Sequence, residues 1–193
     1  MAYLIDVLGS VIVSSFVILM LVGFNVQMST FSYDMFSSTL TQGNAVVTGQ
    51  ILEYDLYKIG YRASGQKISF ADSTKIIYST DLENNGSLDS VCYYIGTIEN
   101  LSNTSNPIDR PLYRSQNGQS PIQIAAVSRL EHTTYFTYLD SAGVKIPSPN
   151  TVDLRKKIRT IKVGMRLQAA EAVEGIYQGV DWERTIRPKN LMN

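Results

Sequence analysis

The chain of 193 residues carries 17 basic and 17 acidic side chains, so its net charge gives no indication of a nucleic-acid partner. Its single cysteine, Cys92, excludes an intramolecular disulfide, and its single histidine, His132, excludes a histidine-rich metal site. The charges are unevenly placed, because residues 1–57 hold four acids and no base, whereas residues 58–193 hold all 17 bases and 13 acids.

An apolar run opens the chain. No charged residue lies between Val7 and Val26, and most side chains in this run are large and apolar. About twenty such residues are what a helix needs to cross the hydrocarbon core of a membrane. A removable secretory signal is the alternative, but such a signal usually has a basic residue before its apolar core, and here the first base is Lys58. We therefore expect residues 1–26 to form a membrane or filament-core helix.

The apolar periodicity continues beyond the length of a membrane span. Large apolar residues recur at the spacing of one helix face, at Phe24, Met28, Phe31, Met35, Leu40, Val47, Ile51 and Leu56. Polar residues separate them, so residues 27–60 are expected to be an amphipathic continuation of the same helix, closed near Gly60. The whole helix would be about 85 Å long. Gly43 and Gly49 are its weak points.

Residues 61–193 are expected to form an antiparallel β-sheet domain. Short alternating runs separated by turn signals begin with KISFA, TKIIYSTD and SVCYYIG. The clearest strand pattern is RTIKVGMRLQA, in which apolar residues alternate with Lys162, Arg166 and Gln168. The predicted fold class is α+β: a long N-terminal helix, apolar in its first half and amphipathic in its second, packed on a C-terminal antiparallel sheet.

This layout resembles that of type IV pilins and the related pseudopilins. At the N-terminus the resemblance is carried by Leu4, Ile5 and Asp6, followed by VLGSVIVSSFVILMLVG. Further along, DLENNGSLDSVCYYIG, NPIDRPLYR and WERTIRPKNL resemble the sheet region of minor-pilin-like proteins. The chain departs from the family pattern in having Asp6 rather than glutamate, and no proline near its twentieth residue.

The resemblance implies a role for the acid near the N-terminus. In such filaments this acid pairs with the free α-amine of a neighbouring subunit, because an unpaired carboxylate is costly in an apolar core. If Met1 is removed, Ala2 becomes the first residue and Asp6 the fifth, so Ala2 and Asp6 are the expected assembly residues. The alternative is that Asp6 only interacts favourably with the N-terminal end of its own helix.

The function implied by the resemblance is structural. The chain would be a subunit of an extracellular type IV pilus-like helical filament, a homo-oligomer built through the N-terminal helix. Its expected partners are further copies of itself, inner-membrane lipid before assembly and the pilus assembly machinery. Its location would be the cell surface, with a membrane-anchored precursor pool. The alternatives are a pseudopilin of a secretion or DNA-uptake system, or a single-span membrane-anchored binding domain that does not polymerise.

One loop matches part of a calcium-binding template. Asp81, Glu83, Asn85 and Asp89 place oxygen atoms along DLENNGSLD, and Gly86 permits a tight turn. The closing bidentate glutamate of the template is missing. The other interpretation is a β-hairpin with an Asn-Gly turn. These residues are the candidate site for Ca²⁺, and no other cofactor is expected.

No enzyme activity is expected. The chain has no G-x-S-x-G, H-E-x-x-H or P-loop motif, and His132 is expected to lie on a strand face. The basic run RKKIR at 155–159 could contact phosphates, but a solvated entrance to a strand is the ordinary explanation. Nucleic acid is therefore not an expected partner.

Overall fold

The computed structural model describes residues 2–101, 103–130 and 135–192. It confirms the α+β fold class, since one long N-terminal helix is followed by antiparallel strands. The helices are α1 (Ala2–Tyr57) and α2 (Val152–Lys156), with 3-10 turns at Ile98–Asn100 and Lys189–Leu191. The strands are β1 (Ile68–Ala71), β2 (Lys75–Thr80), β3 (Asp89–Ile95), β4 (Arg110–Gln116), β5 (Ile122–Val127), β6 (Phe136–Leu139), β7 (Thr160–Gln168) and β8 (Gly179–Ile186).

Helix α1 is continuous for 56 residues, or about 84 Å. It passes through Gly43 and Gly49 without a break. It ends at Tyr57, close to the predicted stop at Gly60, which has a φ of 74° that glycine adopts without steric cost. The Gly60 N–H donates to the Ser79 carbonyl at 2.9 Å, so the turn after the helix is attached to β2.

The strands form two antiparallel sheets rather than one. The first has the order β1-β2-β3-β4-β5, and the second has the order β6-β7-β8. Backbone hydrogen bonds of 2.7 and 2.9 Å between Ser128 and Arg166 join the end of β5 to β7. The Phe136 N–H also donates to the Ser73 carbonyl at 3.1 Å, so β6 is held against the first sheet.

The alternation predicted for β7 is confirmed. Its apolar residues are all buried, namely Ile161, Val163, Met165 and Leu167. On the outer face Lys162 pairs with Glu183 at 2.9 Å, and Arg166 pairs with Asp181 at 3.4 Å. Strand β7 therefore has one face in the core and one face in solvent.

Helix α1 packs on the sheets only through its last third, mainly against β8. The packed face carries small residues, with Thr41, Ala45, Thr48 and Gly49 followed by Leu52 and Leu56. This face shares Leu56 with the apolar stripe seen in the sequence, but Leu40 and Val47 of that stripe are 52% and 56% exposed. Small residues prevail because they let the helix approach closely: a Cβ on Gly49 would lie 2.7 Å from the Trp182 Cε2 atom.

Candidate functional site

The exposed part of α1 is the largest feature of the molecule without a partner. From residue 3 to residue 40 no side chain of the helix is buried, although most of the first part is apolar. The helix is long and apolar enough to cross a membrane. Ser10, Ser14 and Ser15 donate their hydroxyl protons to carbonyls three or four residues earlier. The hydroxyl groups of these three serines are therefore satisfied within the helix, as an apolar environment requires.

The exposed apolar surface extends well beyond a membrane span. The side chains of Phe24, Met28, Phe31 and Met35 are each more than half exposed. Exposed large apolar residues continue as far as Val47. The stretch from Tyr3 to Val47 is about 66 Å long, whereas the hydrocarbon core of a membrane is about 30 Å thick. The hydrocarbon core of a membrane is therefore too thin to cover the whole of this apolar surface.

Asp6 lies on the exposed part of α1, just past its first turn. Among the described residues its carboxylate has no hydrogen bond or ion pair. The interaction of an acid with the helix dipole falls off within the first turn, so the dipole is a weak explanation for Asp6. Ala2 begins the helix, and its side chain lies outside the described part of the structure.

A buried polar cluster attaches the other end of α1 to the first sheet. One carboxylate oxygen of Asp55, Oδ2, accepts hydrogen bonds from the Tyr93 hydroxyl and from Arg114 Nε, both at 2.7 Å. Burial, reinforced by the Asp55 charge, raises the pKa of Tyr93 well above its usual value, so its hydroxyl stays a donor. Sequence reasoning missed this cluster. The signal was Asp55 at helical spacing from Thr48 and Leu52, but no pattern pointed to Arg114.

The candidate calcium loop joins β2 to β3 as a hairpin. Asp81 is fully buried, and its carboxylate accepts from Arg62 at 2.8 Å and from the backbone N–H groups of Asn85 and Gly86 at 3.0 Å. Burial alone would raise the pKa of Asp81, but Arg62 and these N–H groups outweigh it and hold the pKa below its usual value. A guanidinium and two backbone N–H groups therefore compensate this charge.

Asp89 closes the same loop on the β3 side. Its carboxylate accepts from Asn117 at 2.7 Å, from Gln116 at 3.2 Å and from the Leu82 N–H at 3.1 Å. The Asn117 bond is the largest of the effects that hold its pKa below the usual value. Glu83 and Asn85 lie exposed at the loop surface. In the described part of the chain no group of three or more His, Cys, Asp or Glu side chains is arranged to hold a metal, and the calcium interpretation stays a prediction.

Of the remaining sequence candidates, His132 falls outside the described residues. Cys92 is half-buried on β3, and burial raises the pKa of its thiol. The basic run at 155–159 begins in α2 and leads into β7, and its arginines bond to backbone carbonyls. Cys92 and the basic run therefore lie on different elements.

The chain matches no known protein-family model, no curated protein and no solved structure. The structure itself shows a long apolar helix packed on antiparallel sheets, an arrangement compatible with a pilin-like fold. The same helix is long and apolar enough to span a membrane.

Proposed function

We propose that this protein is a structural subunit of an extracellular, type IV pilus-like helical filament. The observation that carries the proposal is the exposed apolar surface of α1, which is about twice as long as a membrane is thick. Helices of further copies are the partners that suit such a surface, because they can cover it along its whole length. The sheet domain would form the outer surface of the filament.

The energetics of α1 favour a bundle of helices. Burying one large apolar side chain contributes about 1.5–3 kcal/mol. The stripe Phe24, Met28, Phe31 and Met35, meeting similar residues of its neighbours, would contribute on the order of 10 kcal/mol per subunit. This is comparable with the cost of about 4–15 kcal/mol for immobilising a subunit. Membrane lipid would cover the apolar run before assembly, and pilus assembly machinery would extract it.

Asp6 is the proposed registration residue of the filament. Its resemblance to the family's acid implies pairing with the α-amine of a neighbour, at Ala2 once Met1 is removed. Within a bundle of apolar helices an unpaired charge is disfavoured, so each subunit adopts the position along its neighbour at which the pair forms.

A membrane-anchored binding domain that does not polymerise is the second candidate. It is favoured by the helix that could span a membrane. An anchor would use about twenty residues, however, and would leave Met28, Phe31 and Met35 exposed to water. A filament subunit accounts for both parts of α1. A pseudopilin of a secretion or DNA-uptake system would use the same helix contacts in a shorter filament.

Replacing Phe31 and Met35 by serine separates the two functions. The filament proposal predicts that the double variant still inserts in the membrane and keeps a folded sheet domain, but forms few or no filaments. Ile122→Ser is the matched control, because it removes an exposed apolar side chain from the sheet domain. Electron microscopy of sheared material gives the filament yield, and membrane fractionation gives the anchored pool. Unchanged filaments from the double variant would contradict the proposed role of the stripe.

A further inference from the structure

Two surfaces at opposite ends of the sheet domain carry charges of opposite sign. At the end nearer the apolar part of α1, the Tyr33 hydroxyl donates to the Glu171 carboxylate at 3.0 Å. At the other end, the Asn190 side-chain N–H donates to the Ile59 carbonyl at 3.3 Å. Helix α1 runs about 36 Å from Tyr33 to its last residue, Tyr57, close to Ile59, and this length separates the two ends. We call them the proximal end and the distal end.

The proximal end carries an acidic hairpin tip at residues 173–176. Val173 and Ile176 exchange two backbone hydrogen bonds of 3.0 and 2.9 Å across a tight turn. Glu174 and Gly175 form the turn with φ values of 50° and 79°. Positive φ is uncommon for a residue with a side chain, so the hairpin holds Glu174 out at its apex at some conformational cost. Ile176 beside it is 63% exposed, and the connection 169–178 contains no basic residue.

The distal end carries a basic cleft of about 650 Å³ between the turn before β1 and helix α2. Four basic side chains line it, namely Lys67, Arg155, Lys156 and Arg159. Apolar contacts come from Ile68, Val152 and Leu191. Among the described residues that line the cleft there is no acid. Asp140 and Asp153 line a neighbouring depression, together with Lys156, Lys157 and Arg159.

Backbone carbonyls, not carboxylates, position the arginines of the cleft. Arg155 Nη1 donates to the Asn150 carbonyl at 2.7 Å, and Arg159 Nη1 donates to the Lys156 carbonyl at 2.7 Å. Neither arginine has an ion pair in the described part of the chain, and Arg155 Nε is buried without a hydrogen-bond partner. Neutral partners fix each guanidinium but leave its charge available, and a fixed guanidinium binds carboxylates well.

We propose that the acidic hairpin tip of one copy docks into the basic cleft of a second copy. Glu174 would meet the basic side chains of the cleft, and Ile176 would contact its apolar residues. The contact is not expected within one chain, since about 36 Å of helix separates the two ends, far beyond the screening length of about 8 Å. Head-to-tail contacts of this kind produce open helical filaments when the rotation between subunits does not close a ring. This inference rests on the proposed filament function and names a contact between sheet domains within it.

Disulfide cross-linking of full-length chains tests the contact. Cys92 is first replaced by serine, and Glu174→Cys and Lys156→Cys are placed in separately tagged chains produced in the same cells. The docking contact predicts a mixed dimer on mild oxidation. The matched control replaces Glu174→Cys by Glu83→Cys, an exposed acid in the β2–β3 loop at the distal end. The control pair is expected to give little or no dimer.

The outcomes separate this contact from the filament itself. Filaments without the mixed dimer would overturn the docking contact and leave the proposed function standing. A mixed dimer without filaments would support the contact and count against polymerisation. If the dimer is absent and inorganic phosphate protects the cysteine at position 156 from a thiol reagent, the cleft takes a small oxyanion instead, and the proposal is wrong.

A charge exchange provides the second measurement. Glu174→Arg alone and Lys156→Glu alone should each reduce filament yield, because each places like charges across the contact. The two substitutions in one chain should restore the yield. Glu83→Arg is the control with the same change of charge and should leave the yield unchanged. Failure of the double variant to recover, with both single variants folded, would contradict the contact.

Discussion

At the scale of single residues, Asp55 fixes how α1 sits on the first sheet. Its Oδ2 atom accepts from both Tyr93 and Arg114, so the carboxylate specifies one rotation of the helix. That rotation also decides which helix face stays exposed for assembly. Glu53, two residues before Asp55, forms a pair with Arg184, but that pair is partly exposed to solvent.

Asp55→Ala is predicted to destabilise the sheet domain by about 3 kcal/mol, because it leaves a buried hydroxyl and a guanidinium without their acceptor. Glu53→Ala is the matched control and should cost less than about 1 kcal/mol, as expected for an exposed ion pair. Urea unfolding of the full chain in detergent, followed through tyrosine fluorescence, measures both. Equal losses would show that the Asp55 cluster has no special role.

The β2–β3 loop is predicted to make the protein sensitive to acid. The folded-state pKa values of Asp81 and Asp89 lie below their ordinary value of 3.8, so the stabilisation is complete above that value. It is lost as the pH falls through the folded pKa values. Arg62→Ala removes a group that lowers the folded-state pKa of Asp81, so the variant should be less stable near neutral pH and should lose less stability as the pH falls.

Thermal unfolding of the full chain from about pH 6 to about pH 2.5 checks this pH dependence. Arg184→Ala is the control, since it also removes one exposed arginine from an ion pair, but at another place. If both variants follow the acid profile of the native chain, the Arg62–Asp81 pair does not govern acid stability.

At the scale of elements, the contact between α1 and β8 depends on one glycine. Gly49→Ala is predicted to cost about 1–3 kcal/mol, because its Cβ would overlap the rigid indole of Trp182. Gly43→Ala is the matched control, since nothing lies within 4 Å of its Cβ position. It should stabilise the helix by about 0.5–1 kcal/mol, the usual preference for alanine over glycine. An unfolding midpoint that falls for Gly49→Ala and rises for Gly43→Ala would confirm the close packing at Gly49. Two stabilised variants would contradict it.

Elements whose pattern is set locally could be predicted from the sequence. The bounds of α1 follow from its apolar periodicity and Gly60, and β7 follows from its alternation. The packed face of α1 could not be predicted, because helix–sheet contact here selects small residues such as Gly49 over the large apolar stripe. The link between the two sheets could not be predicted either, because it depends on the Ser128–Arg166 bridge, which joins residues far apart in sequence. The Asp55–Arg114 pair also joins residues far apart in sequence, so it could not be predicted either.

At the scale of the whole molecule, the chain divides into a part that folds on itself and a part that requires partners. The sheet domain and the last third of α1 share a core, whereas the first part of the helix buries no side chain. An exposed apolar surface of this size is unfavourable in water, so lipid or other helices are needed to cover it. In the proposed function, membrane anchoring and polymerisation would be two successive ways of covering the same surface.

Asp6→Ala is predicted to abolish or strongly reduce filament formation while leaving membrane insertion and the fold of the sheet domain unchanged. The reason is that the variant loses the charge that would pair with the α-amine of a neighbour. Asp6→Glu keeps the charge and is the matched control, so it should assemble. The ratio of filament yield to total membrane-bound protein measures the effect. Full assembly of Asp6→Ala would leave Asp6 with no role in registration.

Electron microscopy of material sheared from cells that produce the full chain tests polymerisation most directly. Mass spectrometry of the same material would establish which residue begins the assembled chain. We predict helical filaments that contain this protein, with the α1 helices bundled at the centre and the sheet domains outside. A chain that stays entirely in the membrane fraction, with no filaments in the sheared material, would contradict the filament function and favour the membrane-anchored binding domain.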